Sequence, residues 1–149
     1  MSFAPSHVVS VEIERPASDV FAFVSTPQNL DQWTFGTWQI EIDEDGLVHG
    51  TSLFDASSVY VRVDPDPDRL IVDYHIANAK DGPLIPRIMA RVTPGEFLDR
   101  PTNRSVLSLL TWRMAGSDDF SWYKLTTIHE TEILLVKSII EQQGSGGAK

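Results

Sequence analysis

The sequence predicts an α+β domain: a curved antiparallel sheet of about seven strands covered by one long C-terminal helix, with two short helices after the first strand. Three observations carry this. Period-two alternation of apolar and polar residues recurs along most of the chain, separated by Pro, Gly and Asp. Two helix starts, at Pro16 and at Thr26-Pro27, follow directly on the first alternating run. Only one segment, about Phe120 to Gln142, has a 3.6-residue apolar period long enough to cover a sheet.

In order, VVSVEIER (8–15) alternates Val9, Val11 and Ile13 with Ser10, Glu12 and Glu14, and reads as a strand. PASDVFAFVS follows as a helix with Asp19 in its first turn, where the helix dipole favours an acid. Thr26 caps a second short helix that ends near Trp33. Trp38, Ile40 and Ile42 then share one strand face, and Asp45-Gly46 marks a hairpin. LVHGTSLF (47–54), SSVYVRV (57–63), LIVDYHI (70–76), RIMARVTP (87–94) and RSVLSLLTWRM (104–114) read as strands. Turns and loops are expected at 64–69, 78–86 and 95–103. Residues 1–143 form one domain, and GSGGAK (144–149) reads as a flexible tail.

The chain has 149 residues, enough for one domain with a real core, and a net charge of −9. No basic stripe exists to neutralise phosphates, so neither nucleic acid nor an anionic membrane surface is an expected partner. No apolar run is long enough for a membrane span, and MSFAPSHVV lacks the pattern of a signal peptide. The absence of cysteine removes disulfides, thiolate metal sites and Cys nucleophiles, and fits a cytoplasmic location.

The last helix carries an anomaly. At 3.6 residues per turn Trp122, Leu125, Ile133, Val136, Ile139 and Ile140 gather in one arc, with Ile128 and Leu135 on its flank. His129 and Glu132 lie inside that arc, three residues apart and so neighbours. Burying either without a partner is costly. One reading is local: Glu132 bonds a backbone amide of a neighbouring loop. The other is functional: the two hold a shared proton, with the carboxylate supporting an imidazolium acid. His129-x-x-Glu132 supplies two ligands on one face, but HETEI lacks the second His of a zinc helix, so no metal site or cofactor is expected.

On the sheet, alternation puts Tyr74 on the apolar face of its strand and Trp38 on the face of Ile40 and Ile42. It sends Asp73, His75, Arg87 and Arg91 to solvent unless a bulge reverses it. Trp112 shares the parity of Val106, Ser108 and Leu110. No phosphate loop, nucleophile elbow or calcium-loop spacing occurs.

The segments VEIERPASDVFAFVSTPQNLDQW and EILLVKSIIE, in this element order, resemble the START-like superfamily called SRPBCC, over about residues 8–142. It includes lipid-transfer domains, polyketide cyclases and aromatases, and the birch-pollen allergens. The resemblance implies a helix-grip fold with a cavity between the sheet and the last helix. The apolar arc then becomes a cavity wall in which His129 and Glu132 orient a hydrophobic or aromatic small molecule. Trp33, Trp38, Trp112, Leu125, Ile133 and Val136 are its expected ligand-binding residues. As an enzyme of the cyclase or dehydrase kind, the protein would use His129 with Glu132 to relay a proton, and Tyr74 to hydrogen-bond a developing oxyanion. As a carrier or sensor it would bind without chemistry. A co-chaperone-like interaction domain is the third class, and calls for an exposed apolar patch. Several members pair, so a homodimer is an expectation as well.

Overall fold

The computed structural model describes residues 4–147, with side chains up to Gln143. The elements are β1 (Ser6–Ile13), α1 (Ala17–Ser25), a 3-10 turn (Pro27–Asn29) leading into α2 (Leu30–Trp33), β2 (Trp38–Ile42), β3 (Val48–Thr51), β4 (Ser58–Asp66), β5 (Ile71–Ala77), β6 (Ile85–Pro94), a second 3-10 turn (Gly95–Leu98), β7 (Ser105–Trp112) and α3 (Asp119–Gly147). The strands make one antiparallel sheet in the order β1-β7-β6-β5-β4-β3-β2. This is the helix-grip arrangement.

The pleat of β7 shows which side is inside. Ser105, Leu107, Leu109 and Thr111 are buried, while Val106, Ser108 and Leu110 are half-buried on the outer face. The inner residues join Ile13, Val20, Val24, Leu30, Val72, Val92, Ile133 and Val136 in one core. Helix α3 packs on β1 and β7 and touches α1 and α2, so it covers one side of the sheet rather than all of it. Lys137 explains part of the motif in the last helix. Its Nζ donates to the Glu12 carbonyl at 2.8 Å and to Glu141 Oε2 at 2.7 Å, and Glu141 Oε2 also accepts from Glu14 N–H at 2.8 Å. The helix is thereby fastened to the end of β1 at the point where the chain turns into α1.

Several boundaries differ from expectation. Strand β4 runs to Asp66, into the first half of the segment read as a turn, and the turn itself occupies 67–70. Strand β3 pairs with it only from Thr51↔Ser58 to Val48↔Val61, so Pro65 sits on an open edge where its missing N–H costs no ladder bond. Strand β6 starts two residues early, because Ile85, Pro86 and Arg87 pair or lie against β5 before β7 pairing begins at Ile88↔Thr111. Helix α3 continues to Gly147, into the residues assigned to the tail; the side chains of 144–147 and all of 148–149 lie outside the described residues.

Two bulges redirect side chains. In β2 the pairs are Trp38↔Thr51 and Glu41↔His49, and Gln39 has φ 51°, so one extra residue inverts the alternation there. Trp38 consequently turns outward and is 46% exposed, a correction to its expected place beside Ile40 and Ile42. In β6 the pairs are Tyr74↔Ile88 and His75↔Pro86, which leaves Arg87 as the extra residue.

The outer face is not wholly polar. Val8 and Trp112, diagonal neighbours across β1 and β7, are both exposed. Among the described residues no helix is long and apolar enough to cross a membrane.

Candidate functional site

A cavity of about 300 Å³ lies between the concave face of the sheet, α2 and the first half of α3. Strands β4 to β7 form its floor with Val59, Val61, Tyr74, Ile76, Ile88, Leu109 and Thr111. Helix α3 brings Leu125, Ile128, His129 and Glu132, and α2 brings Leu30 and Trp33. The mouth is made by the loops at 34–37 and 52–57. Leu53 N–H donates to Phe35 O at 2.8 Å, and the Phe35 and Phe54 rings meet edge to face at 6.2 Å. Gly50 lets the first of these loops lie on β3, since a Cβ there would stand 2.8 Å from Thr37 Cα.

Glu132 and His129 are both buried, and neither satisfies the other. His129 Nε2 and Glu132 Oε1 are 3.9 Å apart, too far for a hydrogen bond. Glu132 Oε2 accepts from Phe35 N–H at 2.8 Å, the loop amide foreseen by the local reading. Burial pushes the Glu132 carboxyl up to about 8, against the opposing pull of that N–H. Burial, and then the nearby charge of His7, pushes the His129 imidazole down to about 4. At neutral pH the carboxyl is therefore protonated and the imidazole neutral. This reverses the expected imidazolium–carboxylate pair: Glu132 is the proton holder. Among the described residues no third His, Asp or Glu joins them in a group that could hold a metal.

Four buried side-chain nitrogens have no partner among the described residues: Trp33 Nε1, Arg87 Nε, His129 Nδ1 and His7 Nδ1. The first three belong to residues that line the cavity. A folded chain rarely leaves such atoms unsatisfied, because each costs the loss of its bond to water. A wider, open groove of about 1330 Å³ between α1 and the end of α3 differs in this respect. Its charges are engaged, as in the Arg15–Asp19 ion pair and the Lys137–Glu141 bond.

No protein-family model matches the chain, and no curated protein matches it in sequence. Solved structures do. The aromatase/cyclase ZhuI of Streptomyces sp. R1128 superposes with a TM-score of 0.63 at 17% identity, over 93% of this chain and 94% of that one. The protein XoxI of Bacillus cereus gives 0.69 at 16% identity, over 92% and 96%. The Aha1 dimer of Colwellia psychrerythraea gives 0.63 at 14% identity, over 91% and 96%. The chain shares the helix-grip fold of these structures. At these identities the likeness is one of fold.

Within the helix grip, the structure gathers only part of the expected site. His129, Glu132, Tyr74, Trp33 and Leu125 line the cavity together. Ile133 and Val136 are buried one turn further along α3, in solid core rather than in the cavity wall. Trp38 and Trp112 do not reach it; Trp112 lies on the outer face of β7 at 40% exposure. Tyr74 lines the cavity and meets Trp33 edge to face, with centroids 6.0 Å apart. Its single proton, however, is donated to the Val24 carbonyl at 2.5 Å, which corrects its role as oxyanion donor. Asp73, His75 and Arg91 stay out of the cavity, with His75 Nε2 3.4 Å from Asp64.

Arg87 does the opposite of what alternation predicts, and lines the cavity because it is the bulged residue. The adjacent Pro86, awkward in a regular strand, was the one sequence signal for that bulge. His7 on β1 was missed altogether. Its Nε2 lies 3.4 Å from Glu130 Oε1, and no local pattern in SHVVSV links it to a helix over a hundred residues away.

Proposed function

We propose that the cavity binds a small, largely apolar carbonyl compound, and that Glu132 and His129 act on it as acid and base. The observation that carries this is the pair itself: a buried carboxyl that keeps its proton beside a buried imidazole that stays neutral, with one ring nitrogen unprotonated. Titratable neighbours pushed apart in this way sort into acid and base roles. The fold shared with the aromatase/cyclase ZhuI supports the enzyme reading.

For loss of water from a β-hydroxy ketone, the unprotonated ring nitrogen of His129 takes the proton from the carbon next to the carbonyl. The electrons of that C–H bond form the new C=C bond. The C–O bond to the hydroxyl breaks as Glu132 donates its proton, and water leaves. The carboxylate so formed, 3.9 Å from Nε2, favours the imidazolium that has just formed. Return of the proton from His129 to Glu132 resets the site.

A carrier without chemistry is the second reading. The bond from Phe35 N–H to Glu132 favours it, since a carboxyl that fastens the mouth loop has a purely structural use. Self-association through the strip of Val8 and Trp112 fits either reading, and size-exclusion chromatography tests it.

Native mass spectrometry of freshly purified protein, before and after denaturing extraction, tests the cavity. Turnover of an aryl β-hydroxy ketone to its enone tests the chemistry. The enzyme reading expects turnover that is lost in Glu132→Gln and in His129→Gln. Retained binding with no turnover in wild type leaves the carrier, and turnover unchanged in both variants sinks the assignment.

A further inference from the structure

Arginine stays charged in proteins, and its guanidinium has five donors and no acceptor. Buried arginines are accordingly paired. Arg87 is half-buried, and its charge is not paired in this way. The β6 bulge sets it in the cavity wall, its Nε is buried without a partner, and no ion pair reaches it among the described residues. Its backbone carbonyl accepts from Thr111 Oγ1 at 3.4 Å, which holds the bulge against β7.

The groups facing it decide what it wants. The other titratable side chains lining the cavity are Tyr74, His129 and Glu132. The first keeps its proton, the second is neutral and the third is protonated at neutral pH. His7 and Glu130 lie 3.4 Å apart, and neither belongs to the lining. In a chain of net charge −9, this cavity wall is therefore cationic. Trp33 Nε1 adds a second unused donor.

We propose that the ligand of this cavity is a carboxylic acid, a small aromatic or short aliphatic monoacid whose carboxylate pairs with Arg87 while its apolar body lies among Leu109, Ile76 and Trp33. A planar carboxylate matches the guanidinium fork, and one negative charge balances the one cation without leaving a second buried charge. A phosphate dianion would leave one. The proposal rests on the cavity being a small-molecule site, and adds the class of molecule. Ionisation of Glu132 sets a like charge in the same cavity, so binding weakens as pH rises through about 8.

The experiment is titration calorimetry at neutral pH with β-naphthoic acid and octanoic acid, each beside its methyl ester, on wild type, Arg87→Met and Arg87→Lys. Wild type is expected to prefer the acid about tenfold or more, the value of a charge-assisted hydrogen bond. The preference is expected to vanish in Arg87→Met. Arg87→Lys, which keeps the charge and the fold but loses the fork, is expected to fall between. Equal binding of acid and ester in wild type, or a preference that survives in a folded Arg87→Met, overturns the carboxylate proposal and leaves the cavity standing. Absence of binding by all four compounds overturns the cavity reading and the proposal with it.

Discussion

Phe35 donates its backbone N–H to Glu132 Oε2 at 2.8 Å, and so ties the C-terminal helix to the loop at the mouth of the cavity. The bond links the one buried acid of α3 to the segment that follows α2. Stability and access to the cavity thus depend on the same carboxyl.

The first consequence is a pH dependence of stability. The folded value of Glu132, about 8, exceeds its ordinary 4.5. The native state then holds a proton that the unfolded chain has lost, and this contribution is complete below about 4.5 and disappears as pH rises through about 8. His129 works the other way: its folded value of about 4 lies below 6.5, so its contribution is present above about 6.5 and is lost as pH falls towards 4. The two slopes oppose each other between 4.5 and 6.5. Above 6.5 Glu132 acts alone, and stability should fall with a slope of up to about 1.4 kcal/mol per pH unit. Denaturant unfolding at several pH values checks this. Glu132→Gln should flatten the decline, and an unchanged decline would place its origin elsewhere.

A second prediction concerns His129 directly. Its Cε1–H resonance should titrate near 4 in the free protein. His7→Ala removes the secondary cause, so the value should rise while staying below 6.5, because burial is the larger cause. NMR titration of both proteins decides it; a His129 that titrates at 6.5 in wild type contradicts the burial argument.

Gly50→Ala is expected to act on the mouth. The new methyl would meet Thr37 Cα at 2.8 Å, backbone that cannot rotate aside. A loss of about 1–3 kcal/mol follows from overpacking of this kind. Because the displaced loop carries Phe35, affinity for β-naphthoic acid should fall as well. Stability lost with affinity intact would mean that β3 moves and the loop does not.

Lys137→Met removes the clasp between α3 and the end of β1. Two charge-assisted bonds go, at a half-buried site, for about 1–2 kcal/mol. Chemical denaturation should show this loss at neutral pH. Helix α3 lines the cavity only as far as Glu132, and Lys137 faces the end of β1 instead, so the acid-to-ester preference should be unaffected.

The order of elements, the pleat of β1 and the amphipathic arc of α3 were all legible in the sequence, because they rest on local periodicities of two and 3.6 residues that burial of one face enforces; the pleat of β7 was not, since the face of Trp112 proved to be the outer one. His129 and Glu132 were legible for the same reason: a polar residue within an apolar arc breaks a repeat. What the sequence could not show were events that depend on a partner far along the chain. The bulges at Gln39 and Arg87 are counted against β3 and β5, and one extra residue exchanges the two faces of a strand. That exchange took Trp38 out of the site and brought Arg87 in. The protonation of Glu132 and His129 likewise depends on how much water the assembled sheet, loops and helix exclude. Local pattern set which residues face inward; tertiary packing decided which charges they carry and which of them meet.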